Sequence, residues 1–223
     1  MRIENIDFGF VEVIEHSGIE KIICKYNGIC TIYFYDRPPC QINIGCSSFN
    51  AQYGIPISED GRKLFVGSWE MGLCAYDILS GTQLWKYKSG KIRNIFVYPD
   101  FLIVARAYSS VVKVDIETGT LLSEIRSGTL ERIFKLDTSF IFADTISGKH
   151  SVIDIDKMCV VKKYPAKIIN PHNCLSLMVR DAVLKENILT IIGLEEYPQK
   201  NFTPNTFVRC KPFSRIIDPN FIP

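Results

Sequence analysis

Short apolar runs alternate with polar turns along most of the chain, and the pattern repeats at nearly constant intervals. The segment "YDILSGTQLWKY" (76–87) recurs as "VDIETGTLLSEI" (114–125) and, less closely, as "IDIDKMCVVKKY" (153–164). Each copy has an aspartate at its second position, and a fourth aspartate lies in register upstream. These registered aspartates are Asp36, Asp77, Asp115 and Asp154, which are 41, 38 and 39 residues apart. Such spacing indicates an internal structural repeat.

Two further apolar runs precede each registered aspartate, and tight-turn residues separate them. In the third copy these runs are "NIFVY" and "FLIVA", with Pro99 and Asp100 between them. Each unit therefore reads strand, tight turn, strand, variable loop, strand ending in Asp, tight turn, strand. A four-stranded meander with a period of about 40 residues is typical of a β-propeller blade.

The pattern predicts an all-β fold, a small β-propeller of about five four-stranded antiparallel blades in a single domain over residues 1–223. Each blade alone would be marginal, so consecutive blades are expected to bury their faces against each other. Two arrangements remain open, a closed ring with "MRIENIDF" lying beside the fifth sheet and an open crescent; closure is favoured. The predicted blades span residues 8–46, 52–88, 91–127, 129–165 and 175–217.

The segments from Leu73 to Tyr87 and from Val111 to Ile125 resemble the repeats of pyrroloquinoline-quinone-type propellers. The wider WD-repeat class is similar only in its period. In the motif, the aspartate side chain caps a turn, while Gly81 and Gly119 supply a positive φ. The tryptophan of the motif is present only as Trp85; Ser123 and Lys162 stand at the equivalent positions.

The enzymes with such repeats are longer and typically secreted, and they hold quinone and calcium with acidic and Asn residues. This chain has fewer repeats and no visible export signal, so the resemblance is taken to imply the fold alone. We expect no cofactor, no metal and no enzymatic activity.

The composition is that of a globular protein, with 47% hydrophobic and 22% charged residues. Its net charge of +2, with scattered basic residues, gives no reason to expect a nucleic-acid partner. The apolar runs are strand-sized, and charges occupy the region where a signal peptide needs an apolar segment. We therefore expect a cytoplasmic protein that binds neither nucleic acid nor membrane.

The eight cysteines show no short metal-ligand spacing, and several lie inside apolar strands. Buried free thiols are therefore expected, in preference to a metal site or disulfides. The histidines (His16, His150 and His172) are predicted in turns or loops. His172 and Cys174 are two residues apart, but a catalytic pair needs an orienting group, for which Asp181 is only an assumption, so a plain connector is favoured. Glu195 and Glu196 are expected to form a surface acidic patch.

The loops between the second and third strands of each blade emerge at one end and carry aromatic or histidine side chains. Aromatic side chains on exposed loops are enriched among interface anchors. Alternatively, they fold back onto their own blades. The predicted partner-binding residues are Tyr26, Trp69, Glu70, Lys91, Arg106, Tyr108, Lys149, His150, Glu195, Glu196, Tyr197 and Phe202.

These features favour a non-enzymatic protein-binding propeller, and within that class a bacterial immunity protein that masks the active site of a cognate toxin. The abundance of Ile, Lys, Asn, Phe and Tyr is a circumstantial argument, since it fits the AT-rich DNA in which such genes often lie. One alternative is a hydrolase or lyase acting on a small molecule or glycan in a central pocket, where Glu12 is the clearest inward-pointing candidate. Another is a general protein-interaction scaffold.

Overall fold

The computed structural model describes residues 9–12, 18–25, 28–45, 56–87, 90–146, 150–170, 176–197 and 209–222. The predictions made for other residues, among them the terminal clasp, His16, His172 and Cys174, concern residues outside this part of the chain. The described residues are almost entirely β-structure, and the one described helix, α1 (Ala166–Ile169), has four residues. No described helix has the length and hydropathy needed to cross a bilayer.

The strands of the first three sheets follow one another along the chain in antiparallel order. Sheet 1 has the order β1-β2-β3-β4, sheet 2 the order β5-β6-β7, and sheet 3 the order β11-β10-β9-β8. Their bounds are β1 (Gly9–Glu12), β2 (Ile19–Lys25), β3 (Ile29–Phe34), β4 (Cys40–Asn43), β5 (Lys63–Ser68), β6 (Gly72–Asp77), β7 (Gln83–Tyr87), β8 (Ile92–Val97), β9 (Phe101–Arg106), β10 (Ser110–Asp115) and β11 (Leu121–Arg126).

The remaining strands form two more antiparallel sheets. Sheet 4 has the order β12-β13-β14-β15, and sheet 5 has the order β16-β17-β18. Their bounds are β12 (Leu130–Lys135), β13 (Phe140–Thr145), β14 (His150–Asp154), β15 (Cys159–Tyr164), β16 (Ser176–Lys185), β17 (Ile188–Tyr197) and β18 (Arg209–Asp218). Sequential antiparallel pairing is the meander that the repeat predicts.

Two sheets differ from the four-stranded pattern within the described residues. Sheet 2 has three strands, and where its first strand was expected there is a single bridge between Ile57 and Leu64. Sheet 5 also has three, which are up to ten residues long. The number of blades and the closure of a ring therefore stay predictions.

The chain forms two compact units, Met1–Arg126 and Ser127–Pro223. In the first unit, sheet 2 buries both faces because alternate side chains of a strand point in opposite directions. Leu64 and Tyr76 pack with sheet 1, whereas Phe65 and Leu73 pack with sheet 3. Burying one such large apolar side chain contributes roughly 1.5–3 kcal/mol. This packing completes the Tyr76–Tyr87 hairpin, which alone would be marginal.

The second unit has its own core, formed by sheets 4 and 5. Phe142 and Val152 of sheet 4 are fully buried with Val179 and Ile191 of sheet 5. The aromatic rings of Phe134, Phe142 and Tyr164 pack within the same cluster.

The turn after the third strand of sheets 2 and 3 is built as the motif predicts. Asp77 Oδ1 accepts hydrogen bonds from the backbone N–H groups of Leu79 and Ser80 at 3.0 and 2.7 Å. Asp115 accepts the equivalent bonds in sheet 3 at 3.0 and 2.7 Å. The glycines that close the two turns have φ values of +70° and +69°. Bonds from backbone amides, and from the Ser80 or Thr118 hydroxyl, hold the pKa of each aspartate below its usual range.

The other two registered aspartates differ. Asp154 accepts two backbone bonds, both at 2.9 Å, but Met158 occupies the glycine position with a φ of +49°. Asp36 forms no such turn; its exposed carboxylate instead contacts the guanidinium of Arg37 at 3.1 Å. Because Pro38 and Pro39 follow it, the backbone there has fewer N–H donors for a capping turn.

Sheet 5 contains a further registered aspartate that the spacing did not predict. Asp218 ends β18 and lies opposite Leu189 at the start of β17, just as Asp115 lies opposite Phe101 in sheet 3. It follows Asp154 by 64 residues because longer strands and an insertion separate the two. The period therefore fails here, although the structural position is retained.

The expectation of free thiols is wrong for two cysteines. Cys24 and Cys30 lie directly opposite each other on β2 and β3 and form a disulfide. Their Cα atoms are 4.2 Å apart, as in the closer type of antiparallel pair. Cys40 and Cys159 are free thiols, and Cys74, which forms no disulfide, is buried as expected.

Candidate functional site

Three of the predicted partner-binding residues come together at one end of the first unit. The rings of Trp69 and Tyr108 meet edge to face with their centroids 6.5 Å apart. The Nζ atom of Lys91 lies 4.4 Å from the centroid of the Trp69 ring and 5.3 Å from that of Tyr108. We call Trp69, Lys91, Arg93 and Tyr108 the aromatic–cation cluster. It is the best-defined candidate site among the described predicted residues.

Local hydrogen bonds hold the backbone that carries the cluster. Trp69 lies in the β5–β6 connection, where Ser68 Oγ accepts a hydrogen bond from the backbone N–H of Met71 at 2.7 Å. Tyr108 lies in the β9–β10 connection. The N–H of Ala107 donates to the carbonyl of Lys91 at 2.9 Å, which ties that connection to the crossover before β8. Adjacent sheets thus present all these connections at the same end, as a meander requires.

The aromatic–cation cluster is exposed but ordered by its own contacts. Trp69 is 37% exposed and Tyr108 is 57% exposed, so a substantial ring surface remains accessible to a partner. A cation over an aromatic face contributes about 0.5–1 kcal/mol at an exposed site. Lys91 makes this contact with two rings, and no carboxylate in the described part of the chain forms an ion pair with it.

Arg93 was not predicted. Its guanidinium lies 5.3 Å from the centroid of the Trp69 ring. It is the second residue of β8, two positions after Lys91, and successive alternate residues of an extended chain face the same way. That i, i+2 spacing was the available signal, but it identifies Arg93 only when the position of Trp69 is known.

The two other predicted charges of the first unit have different surroundings. Arg106 donates to Glu124 at 3.0 Å and to Ser110 at 3.4 Å, so its guanidinium is engaged within sheet 3. Glu70 is exposed and lines a small cavity of about 200 Å³ together with Lys86. Glu70 is therefore the more accessible of the two.

The sequence predicted His150 on an exposed loop, and this prediction is wrong. His150 is the first residue of β14, is 5% exposed, and has Nδ1 2.9 Å from Oδ1 of Asp144. Its ring stacks on Phe142 at a centroid distance of 5.9 Å. All five residues of β14 are buried, and the register of this strand places His150 opposite Tyr164 of β15.

Glu195 does not belong to a surface acidic patch. It is 5% exposed, and its Oε1 lies 2.5 Å from a guanidinium nitrogen of Arg215. Arg215 also donates to the carbonyl of Ile169. The long strand β17 extends through Glu195, which therefore faces the interior of the second unit rather than a loop.

The structure does not describe the side chains of the remaining predicted residues. Tyr26, Lys149 and Phe202 are outside the described residues, and the side chains of Glu12, Glu196 and Tyr197 are likewise not described. No group of three or more His, Cys, Asp or Glu side chains suited to a metal ion occurs among the residues described.

Comparison with known proteins identifies the fold. No protein-family model matches the chain, and no curated protein matches it. The chain is similar to BamB from Moraxella catarrhalis, a β-propeller-like repeat protein, with a TM-score of 0.62 and 15% identity. This chain has a β-propeller-like repeat fold.

A second similar structure is the computationally designed Ika8 protein, with a TM-score of 0.63 and 13% identity. The matches cover 86% and 82% of this chain, but only 57% of BamB and 54% of Ika8. The chain therefore spans little more than half the length of either structure. At these identities the similarity concerns the fold alone.

Proposed function

We propose that this protein is a non-enzymatic, cytoplasmic protein-binding module that contacts its partner through the aromatic–cation cluster. More specifically, we propose an immunity protein that neutralises a cognate toxin by masking its active site. The observation that carries the binding proposal is the convergence of Trp69, Lys91 and Tyr108 from separate sheet connections. The propeller-like fold supports it by providing a rigid frame for such connections.

The chemistry of the aromatic–cation cluster defines the expected partner surface. Two exposed rings can bury apolar area with little loss of conformational freedom, because their contacts already restrict them. The ammonium of Lys91 provides a charge that a partner carboxylate can approach. We therefore expect a partner surface in which an Asp or Glu side chain lies beside an apolar one. Charge complementarity of this kind also accelerates association.

The immunity role is proposed from the amino-acid composition. The abundance of Ile, Lys, Asn, Phe and Tyr fits AT-rich DNA, where toxin–immunity gene pairs often lie. A toxin active site commonly contains charged groups, which an accessible ammonium flanked by rings could cover. The proposal therefore names the product of the adjacent gene as the partner to test.

Calorimetry of the purified protein with the product of the neighbouring reading frame tests the proposal. Tyr108→Ala and Lys91→Ala should each weaken binding by at least about tenfold, the range of interface anchors. Leu122→Ala is the matched control, since Leu122 is 52% exposed on β11 and lies outside the aromatic–cation cluster. It should bind like the unmodified protein.

The outcomes separate the two levels of the proposal. No binding to the neighbouring product, with a host complex captured instead through the same cluster, would refute the immunity role and favour a general scaffold. If both cluster variants bind as tightly as Leu122→Ala, the aromatic–cation cluster is not the contact surface. Preferential binding of a single-stranded nucleic acid would refute a protein partner.

A further inference from the structure

The second unit contains a cavity of about 380 Å³ that the proposed binding surface does not include. This volume is within the range of small-molecule sites. Glu131, Asp144 and His150 contribute polar groups to the wall. Ile169, Leu177 and Val179 contribute apolar surface, so the cavity combines both kinds of lining.

Asp144 and His150 make the polar wall unusual. They are 6% and 5% exposed, so both groups have lost most of their contact with bulk water. Although Nδ1 of His150 lies 2.9 Å from the Asp144 carboxylate, it has no well-aligned hydrogen bond. Buried polar atoms are nearly always hydrogen-bonded. Among the described residues, Nδ1 of His150 is therefore a buried polar atom without a well-aligned hydrogen bond.

The side chains of Asp144, Glu131 and His150 provide this wall with acceptors of hydrogen bonds. The carboxylates of Asp144 and Glu131 accept only, and a carboxylate beside Nδ1 favours the tautomer in which Nε2 is an acceptor. The wall also carries one guanidinium, that of Arg132, which donates to the carbonyl of Val179 at 3.1 Å, so the two carboxylates outnumber the one guanidinium. A ligand that fits must therefore bring donors and, preferably, a positive charge.

We propose that this cavity binds a small primary ammonium compound with a short hydrocarbon body. Asp144 and His150 receive the ammonium group, and Ile169, Leu177 and Val179 contact the hydrocarbon. Glu131 adds negative charge at the polar end. This inference does not rest on the proposed protein-binding function, which concerns the first unit.

Three matched probes with the same five-carbon body test the inference: pentylammonium, pentanol and pentanoate. The protein contains three histidines, so nitrogen-15 NMR of the imidazoles gives few signals, and His150→Gln assigns that of His150. Pentylammonium should shift the His150 signal saturably. It should bind at least about tenfold more tightly than pentanol, and pentanoate should not compete.

Two carboxamide variants locate the ammonium site. Asp144→Asn should weaken pentylammonium binding by at least about tenfold. Asp156→Asn is the control for lost charge, because Asp156 is exposed and does not line the cavity. If Asp144→Asn fails to fold, Glu131→Gln provides the second variant, which should also weaken binding. Equal affinity for pentylammonium and pentanol, tighter binding of pentanoate, or an unchanged His150 signal would each overturn the inference.

Discussion

The two units join neighbouring sheets at the same position of the repeat by different interactions. In the first unit, Trp85 of sheet 2 donates from Nε1 to the carbonyl of Ile116, the residue that follows β10 of sheet 3, at 3.1 Å. In the second, Lys162 holds the equivalent position and lies 2.5 Å from Oδ2 of Asp218 in sheet 5. One junction is therefore mainly apolar, and the other is ionic. A repeat can keep its geometry while the energy that holds its sheets together changes in kind.

Each junction extends to one further residue. A Cβ atom on Gly119 would lie 2.6 Å from Cε3 of Trp85, so the indole packs on the turn that the motif closes. At the second junction, Tyr164 donates its hydroxyl hydrogen bond to Asp218 at 2.8 Å. The apolar junction thus depends on close packing, whereas the ionic junction depends on the protonation state of Asp218.

The largest expected effect is that of Trp85→Ala. The indole is half-buried, so its loss should lower the free energy of unfolding of the first unit by about 2–4 kcal/mol. Urea unfolding followed by the fluorescence of Trp69 measures this, since both tryptophans lie in the first unit. The control is Leu84→Ala. Because Leu84 is 45% exposed, its truncation should change the free energy of unfolding by less than about 0.5 kcal/mol. Similar losses for both variants would contradict the proposed role of the indole.

Gly119→Ala should have the next largest effect. Gly119 has a positive φ of +69° and lies close to Trp85, so an added Cβ meets both backbone strain and a steric clash. The free energy of unfolding should fall by about 2 kcal/mol. Gly90→Ala is a matched control, because Gly90 also has a positive φ but no atom within 4 Å of the added Cβ. The difference between the two variants measures the packing on Trp85. Equal losses would mean that backbone strain alone explains both.

The ionic junction should respond to pH through Asp218. Burial raises the pKa of this carboxyl, but hydrogen bonds from Lys162 and Tyr164 outweigh it and hold the pKa below the usual range. A carboxyl whose pKa is lowered by folding stabilises the folded protein at pH values above its unfolded pKa of about 4. This stabilisation is lost as the pH falls through the lower pKa of the folded state. Asp218→Asn should therefore lower the free energy of unfolding by about 1–2 kcal/mol at neutral pH, and by less in acid.

Urea unfolding of the second unit, followed by circular dichroism at a series of pH values, measures that cost. Asp156→Asn is again the control, and its cost should stay near zero throughout. Adding Tyr164→Phe to each protein gives a double-mutant cycle with an expected coupling of about 1 kcal/mol. A coupling of zero, or a cost of Asp218→Asn that does not change with pH, would show that the ionic junction contributes nothing specific.

The smallest expected effect is a gain in stability. Met158 occupies the left-handed conformation that Gly81 and Gly119 adopt without strain. Met158→Gly should raise the free energy of unfolding by about 0.5 kcal/mol, since relief of strain is partly offset by the greater flexibility of the unfolded chain. Thermal unfolding compares the variant with the unmodified protein. A lower melting temperature would show that the half-buried Met158 side chain contributes more than the strain costs.

Part of the candidate site followed from the sequence. The meander placed Trp69 and Tyr108 in connections at the same end, and Lys91 in a crossover beside them. The pattern could not show that Lys91 contacts both rings or that Arg93 joins them, because these contacts connect different sheets. It also placed His150 and Glu195 on exposed loops. Both are buried because the strands are longer than periodicity suggested. β14 begins early enough to include His150, and β17 continues far enough to include Glu195.

The sequence by itself determined the strands and the capped turns, because these depend on interactions within a few residues. An aspartate that accepts bonds from the next backbone amides, followed by a glycine with positive φ, forms the same turn wherever it occurs. Only the tertiary structure decided that Asp218 belongs to the repeat, that Cys24 pairs with Cys30, and which side chains join the sheets. Those outcomes depend on residues brought together across strands and sheets, and their separation along the chain does not encode that contact.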